Sequence, residues 1–236
     1  MSNNLSFSLP NESRITFNVK NVYCLGNSGR TQVDIQNHIL ELEKQGISAP
    51  MNTDATIHPI SDYLVTQDGN IQVLGNNTTG EIEYLLLINE EGSFITVGSD
   101  HADRVLEAQS SKYFKQICQK PIAKVLWPLE EVIGHWDEIK LTCEIMVHDH
   151  WELYQEGTVA SLLGVEKVIE LLQKNNVYST EGIVVYCGTI CLYKGKFMYP
   201  TWYRMTMHDP ILNRSIILCY NIEILNDIKD KIEIST

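Results

Sequence analysis

The sequence is poor in features that would decide a function at once. Its six cysteines, Cys24, Cys118, Cys143, Cys187, Cys191 and Cys219, include no CxxC pair, so neither a zinc ribbon nor a dithiol redox centre is indicated. A chain of 236 residues can bury a sufficient core without disulfides, and reduced thiols are expected. The longest apolar run, residues 84–88, is far short of the roughly 20 residues that cross a bilayer. The first ten residues are polar and lack the apolar stretch of a signal peptide, which makes a cytoplasmic protein the expectation. Basic side chains are scarce: 18 Lys and Arg stand against 30 Asp and Glu, a net charge of −12. Nucleic acid and anionic membrane are bound by clustered Lys and Arg, so both are excluded as expected partners. The one loose basic group is Lys112, Lys115, Lys120 and Lys124. Gly26-Asn27-Ser28-Gly29-Arg30 has neither nucleotide-binding spacing nor a following Gly-Lys. Ser161 has no G-x-S-x-G frame, which argues against a serine hydrolase.

What is present reads as an α+β protein. Hydrophobic residues make up 44% and charged residues 20%, a globular composition. Residues 5–9 and 14–25 alternate apolar and polar and predict an opening β-hairpin. Residues 34–45 predict a helix, with Ile35, Ile39 and Leu42 on one face and Gly46 past its end. Residues 48–63, with Pro50 and Pro59, read as an extended loop. Strands are expected at 71–74, 81–88, 93–97, 126–133, 139–147, 151–155, 183–187, 203–208 and 215–224; helices are expected at 103–115 and 159–173. The tail 227–236 is charged and expected to fray.

The most informative stretch is Gly80-Glu81-Ile82-Glu83. Residues i and i+2 of a strand face the same way, so Glu81 and Glu83 present two carboxylates together while Ile82 and residues 85–87 indicate burial. Like charges in a dry place are costly unless a cation neutralises them, and a hard ion such as Mg²⁺ does so with a few carboxylates. For the pair alone, a solvated strand face is the plainer reading. Asp100 favours the metal: if residues 81–88 and 93–97 form a hairpin, the return strand brings Asp100 back to Glu81. As an alternative, Asp100 caps the following helix. His101 is read as a packed residue.

These residues resemble the fumarylacetoacetate hydrolase superfamily, whose divalent-metal site is an E-x-E on one strand plus an Asp in (N/S)-D-x-x-x-R. Glu81-Ile82-Glu83 and Ser99-Asp100-His101-Ala102-Asp103-Arg104 match that pattern. Cys24-Leu25-Gly26-Asn27, His38-Ile39-Leu40-Glu41 and Ile47-Ser48-Ala49-Pro50 resemble the family's G-x-N-Y, H-x-x-E and Pro segment, and Tyr186-Cys187-Gly188-Thr189 its G-T(-P) turn. Lys115 and Pro121 fall near its K-S-x-D-x-x-x-P stretch. The chain is more similar still to an uncharacterised branch, through residues 79–84, 98–101 and 154–158. The resemblance implies a mixed β-sandwich roll, with residues 1–57 as a small hairpin-and-helix part and 58–236 as the metal-binding roll. It implies Glu81, Glu83 and Asp100 as ligands of Mg²⁺ or Mn²⁺, and His38, Glu41 and Lys115 as catalytic residues. Gly188, Thr189, Arg104 and Arg30 would contact substrate.

The activity implied is hydrolytic cleavage of a C–C bond in a small 2-oxo or 1,3-dioxo acid of the acylpyruvate kind, by a homodimer. Decarboxylation or tautomerisation at the same site is the alternative, and a non-catalytic small-molecule-binding protein is the other. His38 and Glu41 fit this chemistry on their own terms, because i and i+3 share a helix face and the carboxylate can orient the imidazole. Several residues depart from the family pattern. Only 17 positions separate Glu83 from Asp100, no Tyr follows Asn27, and Ile190 stands where Pro is usual. The register of the lysine is open to Lys112 and Lys120. His148-Asp149-His150 is a weaker chelating candidate without an evident third ligand, and Cys187 reads as a packed hydrophobe.

Overall fold

The computed structural model describes residues 3–47, 53–110, 113–177 and 181–225. The chain opens with a hairpin of β1 (Asn3–Ser8) and β2 (Arg14–Val19), then passes through β3 (Asn21–Gly26) into helix α1 (Gln32–Lys44) and returns as β4 (Thr56–Ile60). Short strands β5 (Val65–Thr66), β6 (Asn70–Leu74) and β7 (Thr78–Thr79) lead to the long hairpin β8 (Ile82–Asn89) and β9 (Gly92–Ser99). Next come β10 (Ala102–Asp103), α2 (Arg104–Gln109), β11 (Lys120–Pro121), β12 (Trp127–Pro128) and α3 (Leu129–Val132). The hairpin β13 (Lys140–Val147) and β14 (His150–Thr158), helix α4 (Val165–Lys174), and strands β15 (Ile183–Thr189), β16 (Trp202–Asp209) and β17 (Arg214–Leu225) complete it.

Two mixed sheets face each other. One has the order β12-β9-β8-β15-β3-β4, the other β14-β13-β16-β17-β6. Between them Ile82, Tyr84, Leu86, Ile95 and Val97 pack with Tyr203, Met205 and Tyr220. On its other face the six-stranded sheet is covered by β1 and β2: Leu5, Phe7 and Phe17 pack with Leu85, Leu87, Val184 and Tyr186. Both faces being dry, β8 and β15 read as unbroken apolar runs rather than alternating ones. Residues 1–57 contribute β3 to the interior of this sheet, between β15 and β4, so the sheet runs across the boundary expected at residue 57.

Several local expectations are corrected. Residues 56–60, expected as loop, form β4; it is the sheet edge, where Pro59 needs no ladder donor. Residues 126–133 are not a strand: pairing stops at Pro128 and a helical turn follows. The helix expected over 103–115 is six residues long, and Gly164 starts α4 after a separate turn of 3₁₀-helix at Val159–Ser161. Pro50, Lys112 and the tail 227–236 lie outside the described residues.

Candidate metal centre and its cavity

The hairpin register builds the site. Ile82 pairs with Ser99 and Glu83 with Gly98, so the chain end after Ser99 returns beside Glu81, where Asp100 N–H donates to Glu81 O at 3.0 Å. The tight turn between β8 and β9 is the reason 17 residues suffice between Glu83 and Asp100. One carboxylate oxygen each of Glu81, Glu83 and Asp100 lies within 4.8 Å of the other two, and all three residues are buried. Asp100 is not the helix cap; Asp103 takes that role, accepting from Leu106 N–H.

β15 closes the cluster from the other side of β8. Its ladder is interrupted between Tyr186 and Thr189, and there Gly188 N–H donates to Glu83 Oε2 at 2.7 Å. Gly188 has φ +96°, and a Cβ on it would fall 1.5 Å from Ser28 Oγ, so only glycine fits. Thr189 Oγ1 donates to Ile82 O at 2.8 Å and accepts from Gln155 Nε2 at 2.8 Å; Gln155 Oε1 in turn accepts from Ile82 N–H. Thr189 thus lines the cavity with its hydroxyl proton already donated.

Charge around the three acids is uneven. Lys115 and Lys120 both bind Asp100, Lys120 Nζ at 2.6 Å from Oδ1, and Lys120 also donates to His101 O. Burial alone would raise the Asp100 carboxyl, but the two ammonium groups overcome it and hold the group well below the usual carboxylate range. Burial likewise would lower Lys115, and Asp100 reverses the sign. Glu81 has Arg104, Nη2 to Oε1 at 3.0 Å. Glu83 has no salt bridge among the described residues, and burial, then the Asp100 charge, push its carboxyl well above the usual range.

Beside the cluster lies a cavity of about 550 Å³ lined by His38, His58, Glu81, Glu83, Lys115 and Cys191 among others. Helix α1 carries His38 and Glu41 over it. Thr31 and Asp34 cap its start reciprocally, and Gln45 binds Gly195 O past its end. His38 Nδ1 is 3.6 Å from Glu41 Oε2, while Glu41 Oε1 accepts from Leu192 N–H at 2.8 Å. Burial would lower the His38 pKa; the neighbouring Cys191 and Glu41 side chains and the charges of Glu81 and Glu41 raise it to about 10.

Of the residues expected at the site, His38, Lys115, Gly188, Thr189, Glu81 and Glu83 line the cavity. The two arginines do not. Arg30 donates to Leu162 O and Val159 O and pairs with Asp137, fastening the loop after β3 to residues 159–162. Arg104 lies beneath the acids, between Glu81 and Glu107 and against the Phe197 ring. Each guanidinium is taken up by nearer protein acceptors. His101 is packed, edge-on to Tyr203 and Tyr220. His148 and Asp149 form the two-residue turn of the β13–β14 hairpin, with φ +49° and +64°, and no third ligating group among the described residues joins them. Sequence reasoning missed His58, Cys191 and Gln155. No spacing pattern marks them, because each reaches the site from a strand or loop distant in the chain.

The facing sheets and the fold they build are of the fumarylacetoacetate hydrolase type. A solved structure assigned as a fumarylpyruvate hydrolase from Burkholderia cenocepacia superposes with TM-score 0.66 at 16% identity, over 96% of this chain and 94% of that one. A 2-keto-3-deoxy-D-arabinonate dehydratase complexed with magnesium and 2,5-dioxopentanoate does so with TM-score 0.62 at 12% identity, over 91% and 77%. The chain itself belongs to the family described as "Protein of unknown function (DUF2848)", whose profile matches residues 25–220. No curated protein matches it.

Proposed function

We propose that this protein is a divalent-metal-dependent enzyme that hydrolyses a C–C bond in a small 2-oxo or 1,3-dioxo acid of the acylpyruvate kind. The observation that carries this reading is the convergence of Glu81, Glu83 and Asp100, three buried oxygen donors from two backbone stretches, with Glu81 and Glu83 at the wall of a cavity and Asp100 behind them. The donor set fits Mg²⁺ or Mn²⁺: all ligands are hard oxygens, and the unpaired, charge-crowded Glu83 calls for a cation. Counted with all four carboxylates ionised, as metal binding requires, Glu81, Glu83, Asp100 and Glu107 face the three cationic side chains Lys115, Lys120 and Arg104, one negative charge in excess. A divalent ion turns that excess into one positive charge, which suits an anionic oxo acid. The bound ion would supply positive charge to the substrate's oxygens.

The chain's own residues do the rest in this reading. Lys115, at the cavity wall, steadies the substrate carboxylate, with the Gly188-Thr189 turn beneath it. The Glu41 carboxylate, 3.6 Å from His38 Nδ1, favours a ring orientation that leaves Nε2 to exchange a proton with water. α1 and the cavity walls exclude bulk water around the reacting carbons.

A second reading is lyase chemistry on the same cluster: decarboxylation, dehydration or tautomerisation. What favours it is that a dehydratase complexed with magnesium is among the solved structures of the same fold. In either case the expected assembly is a homodimer, checked by sedimentation velocity.

The deciding experiment is a spectroscopic screen of acylpyruvates and oxaloacetate with and without Mn²⁺. Turnover of an acylpyruvate that chelator abolishes and Mn²⁺ restores supports the hydrolase. Chelator-indifferent turnover contradicts it. Loss of carbon dioxide from oxaloacetate alone moves the assignment to the lyase, and binding without any turnover reduces it to a binding protein.

A further inference from the structure

The cavity holds a second ligating group of a different chemical kind. His38 and Glu41 come from α1, and Cys191 follows β15 by two residues. One ligating atom of each lies within 4.8 Å of the other two. His38 Nδ1 is sealed from solvent without a hydrogen-bond partner, 3.6 Å from Glu41 Oε2, and the Cys191 thiol lies within 4.8 Å of a ligating atom of each. Cys191 is exposed, unlike Cys24, Cys118, Cys143 and Cys187, and it lines the cavity, so an ion has a way in.

We propose that His38, Glu41 and Cys191 bind Zn²⁺, at a site separate from the three-carboxylate cluster. One nitrogen, one sulfur and one oxygen donor suit a borderline ion in tetrahedral coordination, with the fourth position open to water. Mg²⁺ prefers six oxygens in an octahedron and does not compete well for a thiolate. Bonds of about 2.0–2.3 Å to zinc place tetrahedral ligands roughly 3.3–3.8 Å apart, a range that His38 Nδ1 and Glu41 Oε2 already meet at 3.6 Å, so the Cys191 sulfur closes by about 1 Å at most. Glu41 is already oriented for this by Leu192 N–H, an outer partner of the kind that fixes metal ligands. The ion ties α1 to the segment after β15. It also occupies the imidazole assigned above to proton exchange, so zinc inhibits turnover; this consequence alone rests on the proposed function.

The test uses the full chain, stripped with chelator and reloaded with Zn²⁺ or Co²⁺ in excess Mg²⁺. Wild type retains a single zinc per chain through gel filtration, and Co²⁺ develops a thiolate-to-metal charge-transfer band. Cys191→Ser loses both. Cys219→Ser, which changes the other exposed thiol, keeps both. His38→Ala weakens zinc by more than the roughly 10–100-fold that losing an outer partner already produces. On wild type, Zn²⁺ slows iodoacetamide alkylation of Cys191, read by peptide mass; this decides the matter even if the serine variant does not fold. Retention of Mg²⁺-resistant zinc by Cys191→Ser, release of all zinc from wild type into Mg²⁺, or unchanged alkylation overturns the proposal. Each readout is of binding, so a failed C–C cleavage screen leaves it standing, and the reverse.

Discussion

Two carboxylates a few ångströms apart do different work. Asp100 is bound by Lys115 and Lys120 in a dry place, and removing one partner of such a group leaves buried charge uncompensated. Asp100→Asn is therefore expected to lower stability by about 3–5 kcal/mol in denaturant unfolding, as well as to abolish metal binding. Glu83 is the opposite case. Its folded pKa is raised, so the favourable part of its contribution is present below the ordinary 4.5 and is lost as pH rises through the folded value. Metal-free Glu83→Gln should be as stable as wild type or more so at pH 7, and should not bind Mn²⁺. A variant that loses stability at pH 7 would mean that Glu83 is compensated in a way its surroundings do not supply. His38 has the same sign: its raised pKa stabilises the metal-free protein fully below about 6.5, and that stability is lost as pH climbs toward 10. Wild type minus His38→Ala, measured by urea unfolding from pH 6 to 10, should shrink steadily; a flat difference contradicts the raised pKa. A cation beside Glu81 cancels one of the charges that hold His38 up, so the metal-bound protein should show its catalytic pH limb below 10.

At the scale of elements, the β8–β9 hairpin was legible because strand alternation puts Glu81 and Glu83 on one side and a four-residue turn, 89–92, fixes where Asp100 must land. Helix α1 was legible from its apolar spacing and confirmed by its capping pair. What escaped was non-local. β4 carries a proline and is a strand only because β3 is there to pair with; β17 pairs in parallel with β6, some 150 residues earlier, and no local signal announces it. The partners of the arginines escaped for a similar reason: Asp137, Glu107 and the carbonyls of Val159 and Leu162 that engage them are set by packing, not spacing. Two substitutions test the elements that shape the cavity. Gly188→Ala must move Ser28 or the β15 backbone and withdraw an N–H from Glu83, so a loss of metal affinity should exceed any loss of fold. Thr31→Ala removes one half of the α1 capping box, worth about 1 kcal/mol, and should raise hydrogen exchange in α1 without changing exchange in β8. Equal changes in both elements would show that α1 does not open independently.

For the whole molecule the cluster is also a point of global stability. It joins β8, the segment after β9 and β15, which lie in the sheet packed on both faces, so an ion bound there stabilises the folded chain and not the unfolded one. At a hundred times its Kd a ligand adds about 2.7 kcal/mol, which for a chain of this length raises Tm by roughly 5–10 °C. Among the described residues no helix is long and apolar enough to cross a membrane. The most direct measurement is anomalous diffraction from crystals of the protein grown with Mn²⁺. A peak within about 2.0–2.4 Å of carboxylate oxygens from Glu81, Glu83 and Asp100 together is the expected result. A well-ordered site with no peak there, and Lys115 and Lys120 still closed on Asp100 at saturating Mn²⁺, would contradict the account.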